Sequence, residues 1–485
     1  MNKWMMIGCF FIAGLVSFFT YHNSGSDAQR AISSKAENFS SIKDEADAIK
    51  AVNREIISIT HKDQLNAKID QIQKLSSAHP EWQVLKLYAA LTKPVKKLEG
   101  IMWRLRPVVE SCGACHVSAV SAIRKGYYQK YMTGPHLGAI LDYVVEPTLA
   151  FDQFETIREV QDFAVEQIAP EFEGENGSLI KLQEIIAATE PGFFMEFDAY
   201  LGSGFSEGKR FISDKKRFSI VTKGNLYGLE ASLQGGLAAI HFFRNYDLDD
   251  GVKFINTMVK KTALNNVFGK LPKDVTPIET LSILSKRKFR DFGKSRTEKG
   301  YTPETIQANL DLAFTYYRAS IDSRLSSLEE SMAQVDEKND SDYLISSKLL
   351  RLNYDGNVSK LKEKMRILDN ASSGNATIVT SPKTGKQFKI NPKAIFTYHS
   401  DIKTFLPKES FKSKERELSK KLKNTKGTSR DFKSWDYEYG LPNAWNDATF
   451  AGLLPEATNA NLYEILRSLR LTPATEAIAG LIPAP

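Results

Sequence analysis

The chain has 485 residues, is 42% hydrophobic and 25% charged, and carries a formal net charge of +7. That length exceeds a single compact core, so two or three domains are expected, and 3 cysteines are too few for a disulfide scaffold. The charge is uneven: positions 383–433 hold 15 Lys/Arg against 5 Asp/Glu, a local +10, which leaves the remainder near −3.

Met1 to Lys3 is a short basic start, and Trp4 to Tyr21 is an uncharged apolar run of 18 residues. Residues 1–28 therefore read as an export signal or an uncleaved N-terminal anchor, with Ser26 and Ala28 as the small residues of a cleavage site. Cys9 does not read as a lipidation cysteine, because the apolar run continues past it. Ala28 to Lys43, rich in Ser, Ala and charge, reads as a stalk.

Helical periodicity follows. Ala46, Ile49, Val52, Ile56 and Ile59 form one stripe, and Leu65, Ile69, Ile72 and Leu75 a second. His79-Pro80-Glu81 predicts a third helix with proline in its first turn, buried through Trp82, Leu85, Tyr88, Ala89 and Leu91 until Pro94. Leu98, Ile101, Met102 and Leu105 continue the pattern, and Pro107 opens the next helix.

That helix leads into Cys112-Gly113-Ala114-Cys115-His116. On a helix Cys112, Cys115 and His116 project from one face, at i, i+3 and i+4. Two thiols can add to the vinyl groups of a haem while the imidazole binds its iron. A thioredoxin-type site would call for a preceding strand. A zinc site would need a fourth donor, and the remaining cysteine, Cys9, lies in the apolar start. A plain disulfide would close a very small loop and stabilise little.

The run resembles the haem-attachment signature of c-type cytochromes, a likeness confined to about residues 100–137. It implies one covalent haem c, held by Cys112 and Cys115, with His116 as axial ligand. A motif on a late helix resembles the four-helix-bundle cytochromes of the c′ type, although here more than 350 residues follow it. Met132 and His136, around the turn Gly134-Pro135, are the candidates for a sixth iron ligand, the alternative being an open position. Met102 reads as core filler. Arg104, Arg106, Arg124 and Lys125 flank the motif and suit haem propionates or an acidic redox partner, or are simply solvated.

Beyond the haem module, 44–137, a helical domain is expected over 138–370. Its predicted helices are 139–145, Thr148 to Ile168 and Ser178 to Thr189, with an aromatic stretch from Phe193 to Phe218 marked by glycine turns. Asn225 to Asn245 carries many small residues that would let helices approach closely, and its His241 reads as structural. Asp247, Asp249 and Asp250 lack the twelfth-position glutamate of a calcium loop and read as a helix cap. Thr302-Pro303-Glu304 starts a helix of about 33 residues, for which Ser341 to Asp369 is the expected partner. The final region, 371–485, comprises a β-hairpin near 377–390, the basic stretch and an aromatic tail with Trp435, Tyr437, Tyr439, Trp445 and Phe450.

The fold class expected is mainly α, with that one hairpin. The function expected is electron transfer by an exported monohaem cytochrome with a redox protein partner in the periplasm or envelope. The alternatives are a peroxidase or gas-binding protein with an open sixth site, and an envelope structural protein with an accessory haem. Positions 383–433 suit an anionic envelope surface; nucleic acid is excluded outside the cytoplasm, and the membrane enters through the N-terminal segment if it is uncleaved.

Overall fold

A computed structural model describes residues 44–110, 135–148, 150–190, 193–198, 218–251, 289–334, 354–380, 385–405, 447–458, 460–462 and 465. The apolar start, Cys112, Cys115, His116, Met132, Arg124, Lys125, most of the basic stretch and the aromatics 435–445 lie outside these residues. Helices dominate, with two small two-stranded sheets. Among the described residues no helix is long and apolar enough to cross a membrane.

The N-terminal part stacks α1 (Glu45–Ile57), α2 (Gln64–Ala78) and α3 (Gln83–Thr92). Asp44 caps α1 by accepting from the Asp47 amide at 2.8 Å. Helix α1 buries Ala48, Ala51 and Val52, with Ile49 and Ile56 packed against the same core and Ile59 buried just past its end, so of the expected stripe only Ala46 is exposed. Leu65, Ile69, Ile72 and Leu75 are all buried as their spacing predicts. Helix α3 begins at Gln83, later than Pro80 suggested. Its first amides are capped from another helix: Glu45 Oε1 accepts from Val84 N at 2.7 Å and Leu85 N at 3.2 Å. His79 stacks on Trp82 (3.7 Å, 4°), which makes 79–82 an entry turn.

Lys93–Leu98 is a 3-10 segment carrying Pro94. Gly100, at φ +59°, then turns the chain into α4 (Ile101–Arg104) and α5 (Arg106–Glu110). A Cβ there would lie 2.6 Å from Pro147 Cβ, so both the conformation and the close approach require glycine. Helix α6 (Pro135–Val145) packs on α1, α2 and α4. Lys62 Nζ donates to the Glu146 and Pro147 carbonyls at 3.1 and 3.0 Å, just past the end of α6.

No helix starts at Thr148. The 150–155 segment is drawn onto α4 instead, with Phe154 N donating to Arg104 O (2.8 Å) and Gln153 Nε2 to Trp103 O (3.2 Å). Helix α7 (Ile157–Phe163) starts on the Thr156 cap and passes through a π-helical segment, Ala164–Ile168, into α8 (Ala169–Glu173). Helix α9 (Ser178–Ala188) ends as expected.

Strands β1 (Phe193–Asp198) and β2 (Phe218–Thr222) pair antiparallel, Asp198 opposite Phe218, with an irregularity between Phe193 and Met195. This sheet was not expected. Its strands are separated by a long segment rather than a tight turn, so the short-range hairpin signal is missing.

Helix α10 (Lys223–Phe243) is buried over much of its length and runs antiparallel to α11 (Pro303–Gln334). The small residues set the spacing: a Cβ on Gly224 would lie 2.2 Å from Ser331 Oγ, and Ser327 Oγ donates to Gly224 O at 2.7 Å. The main partner of α11 is thus α10, and not the 341–369 helix; α12 (Tyr354–Ser372) packs against α11 as well. The difference arises because α10 offers a close-packed small-residue face whereas α12 is largely exposed.

One apolar core runs from Ala48 to Leu237, joining the N-terminal helices to α9 and α10 across residue 137. A second joins α10, α11 and α12 around Phe396. Strands β3 (Thr377–Thr380) and β4 (Gln387–Ile390) form the expected hairpin, Thr377 opposite Ile390. Leu453, Leu454 and Ala457 of the tail pack with Phe388 and Ile390, so this part of the tail docks on the body.

Candidate functional site

The described structure frames the Cys-x-x-Cys-His run from both sides. Helix α5 ends at Glu110, two residues before Cys112, and α6 begins at Pro135, shortly after Met132. The approach to the motif is therefore helical.

His136 is in the first turn of α6 and is 1% exposed. It shares a face with Ala139 and Tyr143, at i+3 and i+7, and these two pack against Ile59, Leu65 and Ile69. Of the two sixth-ligand candidates, His136 is thus a buried residue on a fixed helix.

A buried polar network that sequence reading missed fixes that helix. Tyr143, fully buried, donates to Asn66 Oδ1 at 2.7 Å and lies 3.2 Å from Lys96 O. Asn66 Nδ2 donates to Glu99 Oε2 at 3.2 Å, and Glu99 Oε1 accepts from Thr148 N at 2.8 Å and from the Thr148 hydroxyl. Burial alone would raise the Glu99 carboxyl, but hydrogen bonds from Thr148, Asn66 and Tyr143 outweigh it and hold the group below its usual range. Burial and the Glu99 charge push the Tyr143 phenol upward. Glu99, at 6% exposure, is thus a carboxylate satisfied from Asn66 of α2 and from Thr148. These partners lie 33 to 49 positions from Glu99, beyond the reach of any local sequence pattern.

The basic residues beside the motif divide. The Arg104 guanidinium lies 4.2 Å from the Phe154 ring centre and 4.5 Å from that of Phe163, and its Nε donates to Asp152 O at 3.2 Å. It is committed to the fold. Arg106, on α5, is exposed.

His241 is 4% exposed and its Nε2 pairs with Glu173, while its ring stacks on Tyr316 at 5.8 Å. That is the structural role its sequence context suggested. Asp247 and Asp249 hold Arg158, the first at 2.6 Å, and Asp249 Oδ1 accepts from the Arg158 amide at 2.8 Å. Arg158 also pairs with Glu298 (2.6 Å), and Arg296 with Asp162 (2.7 Å), so this cluster clasps α7 to the loop at 289–301. Among the described residues no group of three or more His, Cys, Asp or Glu is placed to hold a metal ion.

Comparison with protein-family models, with curated proteins and with solved structures finds no match to this chain.

Proposed function

We propose that this chain is an exported monohaem c-type cytochrome that exchanges electrons with a protein partner at the cell envelope. The observation that carries the reading is a Cys-x-x-Cys-His run that begins two residues after a helix, α5, in an N-terminal part whose described elements are helical. A thioredoxin-type redox site would be entered from a strand.

Residues in the described flanks suit the group. Cys112 and Cys115 would hold the porphyrin and His116 the iron, and His136, buried on α6, is the better of the two sixth-ligand candidates. Arg106, exposed on α5, suits a propionate. When bound, the haem supplies a one-electron couple whose potential the axial ligands set. The protein's part is to fix His136 through the Glu99–Asn66–Tyr143 network and to present a docking surface.

The test is an absorption spectrum of protein matured in an export-competent host, with His136→Ala and Met132→Ala beside the wild type. A low-spin reduced spectrum that becomes high-spin in His136→Ala alone supports the reading and its ligand. A high-spin wild type that takes up CO or NO rapidly favours the gas-binding or peroxidase alternative. Holo-protein that exchanges electrons with no donor favours an accessory haem on an envelope protein.

A further inference from the structure

The run from 152 to 175, which carries α7, the π-helical segment and α8, holds 8 Asp/Glu against 1 Lys/Arg, Arg158. Three of the acids are spent on the fold: Asp162 pairs with Arg296 at 2.7 Å, Glu171 with Lys93 at 3.2 Å, and Glu173 with His241. Arg158 is spent on Asp247 and Glu298. What the run leaves at the surface is acid. Glu155, Glu159, Glu166 and Glu175 are exposed, and among the described residues none of the four has a basic group within ion-pair distance. Glu155 and Glu159 are neighbours, the Glu159 carboxylate accepting from the Glu155 amide at 2.7 Å. A row of unopposed carboxylates attracts a polycation.

The chain itself supplies one. Positions 406–433 hold 10 Lys/Arg against 4 Asp/Glu, and the chain enters them beside α7. The described residues stop at the 3-10 turn Ile402–Phe405. Ile402 N donates to Gly293 O at 3.0 Å and Gly293 N to Asp247 O at 2.7 Å, and Asp247 holds Arg158, in the first turn of α7, at 2.6 Å. The basic run therefore opens, at Lys408, a few residues from the acidic end of α7. Residues 157–173 extend over about 25 Å as helix, a span that positions 406–446 can cover before the chain resumes at Asp447.

We propose that the exposed acidic face of α7 and α8 is the docking surface for this chain's own basic segment, 408–433. Each exposed pair is weak and screened by salt. The tether compensates, because it keeps the segment at a high effective concentration over the face. The contact is independent of the haem reading.

The experiment uses the full chain, as wild type and as Glu155→Gln/Glu159→Gln/Glu166→Gln. A zero-length carbodiimide, which joins a carboxylate to a lysine amine, is applied to a mixture of isotope-labelled and unlabelled chains, and the cross-linked peptides are read by mass spectrometry. Cross-links from Glu155, Glu159, Glu166 or Glu175 to lysines of 408–433 are expected within single chains at low salt. They should disappear at high salt, where the Debye length falls to about 3 Å. Trypsin should cut between Lys408 and Lys433 about three- to fivefold faster in the variant than in the wild type at low salt. If the variant does not fold, the same acceleration is read in the wild type on adding salt. Cross-links only between labelled and unlabelled chains would make a second copy the occupant and overturn the proposal. So would cleavage that neither salt nor the substitutions change, or cleavage slowed only by phosphatidylglycerol vesicles, which would give the segment to anionic lipid.

Discussion

Tyr143 donates its hydroxyl to Asn66 at 2.7 Å, which ties α6 to α2, and Asn66 donates in turn to Glu99. Tyr143 and Glu99 are buried at its two ends and Asn66 is half-buried between them, so removing an end leaves a polar partner unsatisfied. Tyr143→Phe should lower the unfolding free energy by about 1 kcal/mol, and Glu99→Ala by about 2–3 kcal/mol. Urea unfolding of the two variants checks this, and equal small losses would contradict it.

The same carboxylate gives a pH dependence. Glu99 titrates below the ordinary glutamate value in the folded chain, because its hydrogen bonds outweigh the opposing effect of burial. The unfolded state therefore binds the proton more readily. The stability Glu99 contributes is present above the unfolded value and lost as pH falls through the folded one. Unfolding midpoints from pH 7 down to about 3 should fall less steeply in Glu99→Gln than in the wild type. Parallel acid limbs would contradict the assignment.

The seam between α10 and α11 makes a graded prediction. A Cβ on Gly224 would lie 2.2 Å from Ser331 Oγ and 2.9 Å from Ser327 O, whereas one on Gly228 would meet only the movable Ser327 Oγ at 3.1 Å. Gly224→Ala should destabilise by about 1–3 kcal/mol through overpacking, and Gly228→Ala by clearly less. Thermal unfolding of the pair reads the difference, and equal effects would show that the helices are spaced by something else.

The long-range cap of α3 can be isolated too. Glu45 accepts from two amides of a helix that starts 38 positions later. Glu45→Ala should cost about 1 kcal/mol, as other helix-capping losses do. Glu81→Ala, on the exposed turn before the same helix, should cost almost nothing. Similar losses in both variants would argue against the cap.

What could be read in advance was what repeats locally. The stripe Leu65, Ile69, Ile72, Leu75, the small residues of α10, the start of α11 at Pro303 and the hairpin at Thr377–Thr380 and Gln387–Ile390 each follow from spacing or turn chemistry within a short window. What could not be read depends on partners far along the chain. The delayed start of α3 needs Glu45, the missing helix at Thr148 needs the α4 carbonyls, and β1 needs β2 across a long connection. Of the candidate site, His136 could be named but its burial could not, since that depends on α6 docking against α2.

The central claim is covalent haem on Cys112 and Cys115, and a pyridine haemochrome assay on exported protein tests it most directly. The account predicts a c-type spectrum with one haem per chain. It predicts retention of attached haem but loss of the native spectrum in His116→Ala, and no attached haem when both cysteines are replaced by alanine. Colourless wild-type protein, with the two thiols free or joined to each other, would contradict it.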